Sequence, residues 1–370
     1  MSGTRADFGL MQSTLEAIHA NKSFELALIV TGMHLSDQYG ATVKDVEASG
    51  LPIAARIPVE VESPTGATMA KNIGSMLTGM VDVLIDEQPD LVLLLGDRGE
   101  MLAAALAAIH LNIPVVHIHG GERSGTVDEP VRHAISKLSN FHFVSTIQAK
   151  DRLVRMGEFP EHVWVTGAPG LDGIEALAVY EKADLLRSLD LDEKIPVALL
   201  MYHPVLQEAA IAGGEIERIL DLLASRKLQV VALKPNSDAG SKQVRDALDA
   251  RHGKRNVRVV THFERRRFVS WMAIADMLVG NSSAGIIEAA SFGTPVINVG
   301  SRQDFRERNA NVIDVSAEPA ALGQALDRAL HQKRFKPINI YGDGKAAERI
   351  VALLGGLPLN ASLPAKRNAY

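Results

Sequence analysis

Short apolar runs rich in β-branched residues alternate with longer amphipathic stretches along the first part of the chain. The apolar runs predict β-strands at residues 26–31, 91–95, 115–119, 142–145 and 163–166. The amphipathic stretches predict helices at residues 13–20, 68–87, 101–110 and 131–138. Strands that are separated by helical crossovers favour a parallel sheet with helices on both faces.

The same alternation starts again after a glycine-containing turn at residues 167–170. The second series predicts strands at residues 197–201, 230–234, 257–260, 277–279 and 296–299. It predicts helices at residues 215–225, 240–251, 268–274, 285–292 and 320–330. We therefore expect two consecutive α/β domains that meet between residues 167 and 185.

The length and composition limit the classes of protein that fit this pattern. A chain of 370 residues is too long for one ordinary hydrophobic core, which agrees with two domains. The net charge of −5 argues against a general nucleic-acid or anionic-membrane binder. The absence of cysteine excludes disulfides, thiolate zinc sites and cysteine nucleophiles. Because neither a membrane-length apolar run nor a signal-peptide core is found, we expect the protein in the cytoplasm.

The beginning of the chain has the composition of a loop that follows a β-strand. Residues 3–9 read Gly-Thr-Arg-Ala-Asp-Phe-Gly, with no apolar strand before them. The first strand of a doubly wound sheet lies centrally, so both neighbouring strands need it as a hydrogen-bond partner. Each buried backbone group left unpaired costs about 1–3 kcal/mol. We therefore expect an additional apolar strand before Ser2, or another segment or chain in the same position.

Acidic residues follow two predicted strands of the first domain, at the ends that line the ligand crevice of an open α/β sheet. Asp97 and Glu122 each come shortly after such a strand, and with Asp128 they can converge on one crevice beside His119. Acids next to a histidine suit the removal and return of a proton. The alternatives are helix N-caps for the acids, and a metal site shared by His117 and His119.

A run of small polar residues follows the predicted strand at residues 277–279 and opens a helix. Free amide groups at a helix start can hold phosphate, so Ser282 and Ser283 are candidates for an anion site. Glu288 lies about one turn further on, where it can accept hydrogen bonds from ribose hydroxyls. The alternative is a plain serine N-cap. A Walker motif and a strict Gly-X-Gly-X-X-Gly are both absent, which favours a nucleotide-sugar over ATP or NAD.

Polar clusters also follow three other predicted strands of the second domain. They contain His203, Asn236 and Arg306. Each cluster taken alone can be an ordinary polar turn, but together they indicate that this domain faces its loops into a cleft.

The ordered set of these segments resembles the hydrolysing UDP-N-acetylglucosamine 2-epimerases. The resemblance runs from about residue 3 to 345 and is carried by residues 3–9, 32–36, 96–98, 117–122, 132–138, 203–204, 236–241 and 280–285. It implies the GT-B fold, an α/β fold of two Rossmann-like domains with parallel sheets and an active site in the interdomain cleft. We place the N-terminal domain at residues 1–170, without its first strand, the C-terminal UDP-binding domain at 171–356, and a tail at 357–370.

The resemblance also implies a reaction, in which UDP-N-acetylglucosamine and water give N-acetylmannosamine and UDP for sialic-acid-type biosynthesis. A base removes the C2 proton while UDP leaves C1, and the resulting glycal takes up water at C1 and a proton at C2. No metal or other cofactor is required. The expected partner is the UDP-sugar substrate, with no nucleic acid and no membrane, and the chain is expected to form a homo-oligomer, either a dimer or a tetramer.

The matching motifs assign site residues. The residues with implied catalytic roles are Asp97, His119, Glu122, Asp128 and His203. The residues with implied substrate contacts are Arg5, His34, Arg98, Asn236, Ser282, Ser283, Glu288 and Arg306. The chain departs from the pattern at His119, where some family members carry an acid, and this leaves the identity of the base open.

Four other functions stay open at this stage. A close relative of the family acts on UDP-2,4-diacetamido-2,4,6-trideoxyglucose in legionaminic acid biosynthesis. A non-hydrolysing epimerase would add UDP back to the glycal, and a GT-B glycosyltransferase would use a separate acceptor. An inactive UDP-sugar sensor would bind UDP without exchanging the C2 proton.

We expect Asp97→Asn and Asp128→Asn each to lower turnover by roughly 10²-fold or more, which is the scale of losing a general acid or base. The affinity for UDP should change much less, because these acids serve the sugar. An assay of UDP release and a calorimetric titration with UDP measure the two quantities. Near-normal turnover in either variant would remove that residue from the chemistry.

Overall fold

The computed structural model describes residues 1–254, 256–332, 334–359 and 366–370. The strands of the first domain are β1 (Leu28–Thr31), β2 (Ile53–Ile57), β3 (Val92–Leu95), β4 (Val115–Ile118), β5 (Phe141–Val144) and β6 (Val163–Val165). Its helices are α1 (Arg5–Ala20), α2 (Val43–Ala48), α3 (Gly66–Glu87), α4 (Gly99–His110), α5 (Asp128–Leu138) and α6 (Ile147–Arg155).

The second half of the chain repeats the alternation. Its strands are β7 (Val197–Met201), β8 (Gln229–Leu233), β9 (Val257–Val260), β10 (Met277–Gly280), β11 (Val296–Val299) and β12 (Val312–Val315). Its helices are α7 (Ile174–Leu177), α8 (Lys182–Ser188), α9 (Ala212–Ser225), α10 (Ser241–Arg251), α11 (Arg265–Ile274), α12 (Ser283–Ile287), α13 (Pro319–His331) and α14 (Ala346–Gly356).

The second domain is built on one parallel sheet of six strands. The strand order is β12-β11-β10-β7-β8-β9, so the first strand of the domain, β7, lies between β10 and β8. All five residues of β7 are buried. Ala198 and Leu200 pack on one face of the sheet, and Val197, Leu199 and Met201 pack on the other. A central strand with two buried faces therefore reads as a continuous apolar run.

The strands of the first domain form two separate parallel sheets, β3-β4-β5-β6 and β1-β2. Between β1 and β3, the described residues contribute only an isolated bridge, in which Ser2 pairs with Val30. The amide of Ser2 donates to the carbonyl of Ile29 at 2.9 Å, and the amide of Thr31 donates to the carbonyl of Ser2 at 3.0 Å. The first domain thus has no counterpart of β7 in its described part. The parallel sheets covered by helices confirm the predicted class of two Rossmann-like domains.

The chain crosses between the domains twice. It leaves the first domain after β6, and after α13 it returns so that α14 packs on α1. Ala346, Ile350 and Leu354 of α14 lie in the core of the first domain. The two crossings are joined, because the amide of Ala168 donates to the carbonyl of Tyr341 at 2.8 Å. The domain limits of 1–170 and 171–356 remain a proposal. Helix α14 falls within the second range but packs on the first domain.

Several elements differ from the sequence prediction. The elements that the prediction lacks are β2, β12, α2, α6, α7, α8 and α14. Helix α1 begins at Arg5 rather than at residue 13, because Thr4 and Asp7 form a capping box in which the Asp7 carboxylate accepts the Thr4 amide at 2.9 Å. Strand β2 has the sequence Ile-Ala-Ala-Arg-Ile, and the arginine and alanines weaken its apolar signal. Short elements on a sheet edge carry little periodicity to detect.

His117 is a buried structural residue of β4. Its Nε2 lies 2.7 Å from the carbonyl of Gly96, and its Nδ1 lies 3.0 Å from the hydroxyl of Ser136. Burial lowers the pKa of His117 to about 3, so the ring is neutral in the folded protein at neutral pH.

We expect acid to destabilise the protein in part through His117. An unfolded histidine titrates near pH 6.5, so below this pH the unfolded state takes up a proton that the folded state does not. The free energy of unfolding should therefore fall by about 1 kcal/mol from this residue between pH 6.5 and 5.5. Urea unfolding at both pH values measures the loss.

Two variants test the assignment. His117→Gln should show a smaller acid-induced loss than the wild type. His19→Gln changes an exposed histidine and should keep the full loss. Equal losses in His117→Gln and the wild type would contradict the role of His117.

Candidate active site

A cavity of about 600 Å³ lies between the two domains, and the carboxyl ends of β7 and β8 form part of its wall. Its lining includes seven of the predicted site residues and, in addition, Arg302; the seven are Arg5, His34, His203, Asn236, Ser282, Ser283 and Glu288. The predicted acids Asp97, Glu122 and Asp128 do not line this cavity. They lie beside it, and Arg302 connects the two regions because it lines the cavity and also faces Asp128 at 3.9 Å.

Glu122 and His119 form a buried pair at the end of β4. The Nδ1 atom of His119 lies 2.5 Å from Oε1 of Glu122, and the hydroxyl of Ser145 donates to the same oxygen at 2.6 Å. The other carboxylate oxygen pairs with the guanidinium of Arg306 from the second domain. Burial alone would raise the pKa of Glu122, but His119 and Arg306 outweigh it and hold the pKa at about 2. Glu122 is therefore an ionised carboxylate with fixed partners.

His119 has a backbone conformation that is uncommon outside glycine. Strand β4 ends at Ile118, and His119 has a φ of +63°, in the left-handed region. This turn, which the sequence did not reveal, carries the His119 ring to Glu122. Because both ring nitrogens of His117 are occupied, the metal site that the sequence left open for His117 and His119 is not formed by these atoms.

The Nε2 atom of His119 is buried and has no hydrogen-bond partner among the described residues. A buried polar atom is normally satisfied, so this nitrogen has an unused capacity for a hydrogen bond. A carboxylate that fixes an imidazole through Nδ1 leaves Nε2 to exchange a proton with a bound molecule. His119 therefore combines a fixed orientation with a ring nitrogen that has no partner among the described residues.

Asp97 is held by two arginines. Its carboxylate pairs with the guanidinium of Arg132 and lies 3.9 Å from Nη2 of Arg306. Arg132 is almost fully buried, and its Nη1 donates to the carbonyl of Glu122 at 3.0 Å. The sequence prediction assigned no role to Arg132, although it lies in one of the matching segments. Its position on the buried face of a helix, where arginine is rare, was the available signal.

Asp128 is the first residue of α5, and its side chain is 34% exposed. Its neighbour Arg302 donates through Nη1 to the carbonyl of Asn281 at 3.0 Å. The loops meet closely here, since the amide of Gly125 donates to the carbonyl of Arg302 at 3.2 Å. A side chain at Gly125 would lie 1.9 Å from the carbonyl of Ser301. Glycine at this position therefore allows the arginines to face the acids.

His203 follows β7 and is fixed by its neighbour Asn281. The amide of His203 donates to Oδ1 of Asn281 at 2.7 Å, and Nδ2 of Asn281 donates to the carbonyl of His203 at 2.8 Å. Burial and the nearby Arg302 lower the pKa of His203 to about 3, so its ring is neutral. A neutral imidazole beside arginines can donate or accept one hydrogen bond without adding positive charge.

Ser282 and Ser283 lie at the start of α12 and line the cavity. The hydroxyl of Ser282 caps the helix by accepting the amide of Ala284 at 3.4 Å. Helix α12 has only five residues, so its dipole contributes less to anion binding than the longer predicted helix would. The cavity instead gains positive charge from Arg302.

Two arginines with implied substrate contacts already have protein partners. Arg5 donates through Nη2 to the carbonyl of Lys234 at 3.0 Å and also contacts the carbonyl of Thr261. Arg98 lies 3.3 Å from Glu100 and 3.4 Å from Asp238. Arg5 thus connects the first domain to the second across the cleft. Arg98 makes the same kind of connection through Asp238 and a contact within its own domain through Glu100.

Three other residues with implied substrate contacts differ in whether their polar atoms already have partners in the protein. Glu288 forms an ion pair with Nη1 of Arg265 at 2.6 Å. His34 is fully buried, with Nε2 2.8 Å from the Ser2 hydroxyl and Nδ1 2.8 Å from the Thr42 hydroxyl, so neither ring nitrogen is free. Asn236 lines the cavity. Both ring nitrogens of His34 thus contact hydroxyls of the protein, and the residue also lines the cavity, so its contact with substrate stays a prediction.

A profile of the UDP-N-acetylglucosamine 2-epimerase family matches residues 16–355. The chain is 47% identical over 370 residues to the UDP-N,N′-diacetylbacillosamine 2-epimerase (hydrolyzing) of Legionella pneumophila, with 100% of this chain and 98% of that protein covered. It is 33% identical over 340 residues to the GDP/UDP-N,N′-diacetylbacillosamine 2-epimerase (hydrolyzing) of Campylobacter jejuni, covering 91% and 88%.

A solved structure shares the fold. The UDP-GlcNAc 2-epimerase of Methanocaldococcus jannaschii, in complex with UDP-GlcNAc and UDP, superposes with a TM-score of 0.81. The superposition covers 96% of this chain and 98% of that one, at 22% identity. In the part of the chain that the structure describes, no helix is both long and apolar enough to cross a bilayer.

Proposed function

The chain belongs to the UDP-N-acetylglucosamine 2-epimerase family, and we propose that it is a hydrolysing epimerase acting on UDP-N,N′-diacetylbacillosamine. This sugar is 2,4-diacetamido-2,4,6-trideoxyglucose. In the proposed reaction a base takes the C2 proton, the C–H electron pair forms the C1–C2 double bond, and UDP leaves with the C1–O pair. Water then adds at C1, and a proton returns to C2 on the opposite face. The products are the free 2-epimeric sugar and UDP.

One observation carries this proposal: three carboxylates of the first domain meet two arginines of the second domain beside the cavity. The carboxylates are those of Asp97, Glu122 and Asp128, and the arginines are Arg302 and Arg306. Proton transfer at a sugar carbon needs carboxylates or imidazoles, and departure of a diphosphate needs cations. The proposed elimination needs a proton acceptor at C2 and cations near C1, and this site has carboxylates and arginines side by side.

We assign diphosphate binding to Arg302, Arg306 and the loop of Ser282 and Ser283. Negative charge grows on the leaving diphosphate as the C1–O bond breaks, so groups fixed around it stabilise the transition state more than the substrate. Arginine suits this task because its guanidinium can form paired hydrogen bonds to phosphate oxygens. Glu288, in the same cavity, is our candidate for the ribose hydroxyls.

Arg306 connects the two halves of the proposed reaction. It is the counter-ion of Glu122, whose pKa of about 2 makes the carboxylate a weak base. A diphosphate competes for the same guanidinium. As Arg306 turns to the diphosphate, Glu122 loses a cation that stabilised its charged form, and its pKa rises. Substrate binding therefore strengthens the proton acceptor of the His119–Glu122 pair.

We propose that His119 with Glu122 transfers the proton on one face of the sugar ring and that Asp128 acts on the other face. Inversion at C2 requires removal and return of the proton on opposite faces, which one fixed group does not achieve. Asp97, held by Arg132 and near Arg306, orients these groups and contributes to the same charge network. His203 remains a candidate for contact with the sugar or phosphate from the second domain.

The choice of sugar rests on the relatives. The sequence reading favoured UDP-N-acetylglucosamine, whereas the Legionella and Campylobacter proteins are named for the diacetamido sugar. UDP-N-acetylglucosamine remains the second candidate, because the family profile carries its name. The two sugars differ at C4 and C6, far from the bonds that break, so the same acids and arginines serve both.

Competition between the two UDP-sugars in deuterated water, followed by NMR, tests the proposal. We expect free UDP, a free sugar with deuterium at C2, and a kcat/KM at least about tenfold higher for the diacetamido sugar, within the range of a few lost contacts. Equal or better use of UDP-N-acetylglucosamine would overturn the choice of sugar. A UDP-linked epimer as product would indicate the non-hydrolysing reaction, and UDP binding without deuterium incorporation would contradict an epimerase.

His119→Ala should lower kcat by roughly 10²-fold, because it removes the unpartnered Nε2 atom, while the affinity for UDP stays within about threefold. Ser145→Ala is the matched control, because it removes another donor to the same oxygen of Glu122. It should lower kcat by less than about tenfold, the scale of one neutral hydrogen bond. Turnover of His119→Ala at or above that of Ser145→Ala would reject the role of His119.

A further inference from the structure

Arg265 is a mostly buried cation that lines the cavity and takes no part in the proposed proton transfer or diphosphate binding. It is the first residue of α11, and its side chain is 13% exposed. Of the consecutive arginines Arg265, Arg266 and Arg267, it is the one that forms an ion pair with a carboxylate in the described part of the chain. Arg266 is exposed, and Arg267 contacts the hydroxyl of Ser188. Because a buried guanidinium needs fixed partners, those of Arg265 indicate what it does.

The guanidinium of Arg265 holds two groups at once. Its Nη1 atom lies 2.6 Å from Oε1 of Glu288, and its Nη2 atom donates to the carbonyl of Gly170 at 2.8 Å. Gly170 belongs to the turn Pro169–Leu171, where the chain leaves the first domain. The planar fork of an arginine fits two such acceptors, whereas the ammonium of a lysine is a single point charge. The carbonyl therefore fixes the guanidinium, and the guanidinium fixes one oxygen of Glu288.

Glu288 is a buried carboxylate with one oxygen in use. The residue is 4% exposed and lines the cavity. Its Oε1 atom faces Arg265, and no described residue donates a hydrogen bond to Oε2. Removal of the cation would leave a buried charge unpaired, which is strongly unfavourable. Glu288 therefore depends on Arg265 to keep its position, and Oε2 is available to a ligand.

The two ends of this bridge belong to one packed core. Leu171 of the turn, Val269 of α11 and Ile286 of α12 lie in the same buried apolar cluster. Close packing of this kind resists relative movement of the three segments. Arg265 and Glu288 thus extend from a rigid base, which a group must have in order to fix a hydroxyl of a ligand.

We infer that Arg265 is the positioning residue for Glu288 and that it holds this carboxylate in the orientation that accepts hydrogen bonds from the ribose hydroxyls of UDP. The inference rests on the proposed function, which gives the ribose to Glu288. In this role Arg265 contacts neither the ribose nor the reacting atoms. Its loss should therefore weaken the recognition of the ribose hydroxyls and leave the contacts of the diphosphate unchanged.

Calorimetric titration of the full chain with UDP, 2′-deoxy-UDP and 3′-deoxy-UDP measures this recognition directly. The hydroxyl discrimination is the Kd of the weaker-binding analogue divided by the Kd of UDP. In the wild type it should be at least about tenfold, the scale of a hydrogen bond to a charged group. A wild-type value below about threefold would remove the ribose from Glu288 and overturn the inference.

In Arg265→Gln the discrimination should fall below about threefold, because Glu288 loses the partner that orients it. Arg267→Gln is the matched control. It removes the same charge from the same helix, but its guanidinium contacts Ser188, so the discrimination should stay at the wild-type value. In Glu288→Ala, where the carboxylate is already absent, the addition of Arg265→Gln should change the discrimination by less than about twofold. Wild-type discrimination in Arg265→Gln, or an equal loss in Arg267→Gln, would overturn the role of Arg265.

Arg265→Lys keeps the positive charge but not the fork, so its discrimination should lie between those of the wild type and Arg265→Gln. If Arg265→Gln does not fold, wild-type discrimination in Arg265→Lys overturns the inference, and a reduced value supports it. The titrations need no turnover. An inactive enzyme whose hydroxyl discrimination depends on Arg265 would therefore contradict the proposed epimerase reaction and still support the role of Arg265.

Discussion

Charge balance across the interdomain cleft is the constraint on which the site depends. The first domain brings Asp97, Glu122 and Asp128 to the loops that follow its strands β3 and β4. The second domain supplies Arg302 and Arg306 against them. Because Arg306 of the second domain helps to hold the pKa of Glu122 low, the relative placement of the two domains affects the protonation of this acid. The close approach at Gly125 is the backbone condition for this pairing.

Under the proposed function, this arrangement gives the arginines two alternative partners of the same charge. Carboxylates hold them in the structure, and phosphate oxygens would hold them in a complex. Exchange of one anionic partner for another avoids leaving a buried guanidinium unpaired, which would be costly. The same exchange alters the environment of Glu122, whose low pKa depends on His119 and Arg306. In that proposal, a diphosphate that binds Arg306 therefore changes the pKa of Glu122.

Much of the fold could be predicted from the sequence, because buried parallel strands are continuous apolar runs. Strands β7, β9 and β11 have the predicted limits. Short or edge elements such as β2 were missed, since they bury too little surface to impose a pattern. For the site, the sequence motifs identified the acids Asp97, Glu122 and Asp128 and the loop of Ser282 and Ser283 as candidates. They did not reveal Arg132, the left-handed turn at His119 or the internal partners of His34, because these depend on contacts between segments distant in sequence.

The double crossing between the domains has a mechanical consequence. Two connections, joined by the hydrogen bond from Ala168 to Tyr341, limit the relative movement of the two domains more than a single linker would. The packing of α14 on α1 anchors the returning segment in the core of the first domain. The ion pairs of Arg302 and Arg306 with carboxylates of the first domain add further connections across the cleft, so the relative position of the domains is fixed at several points.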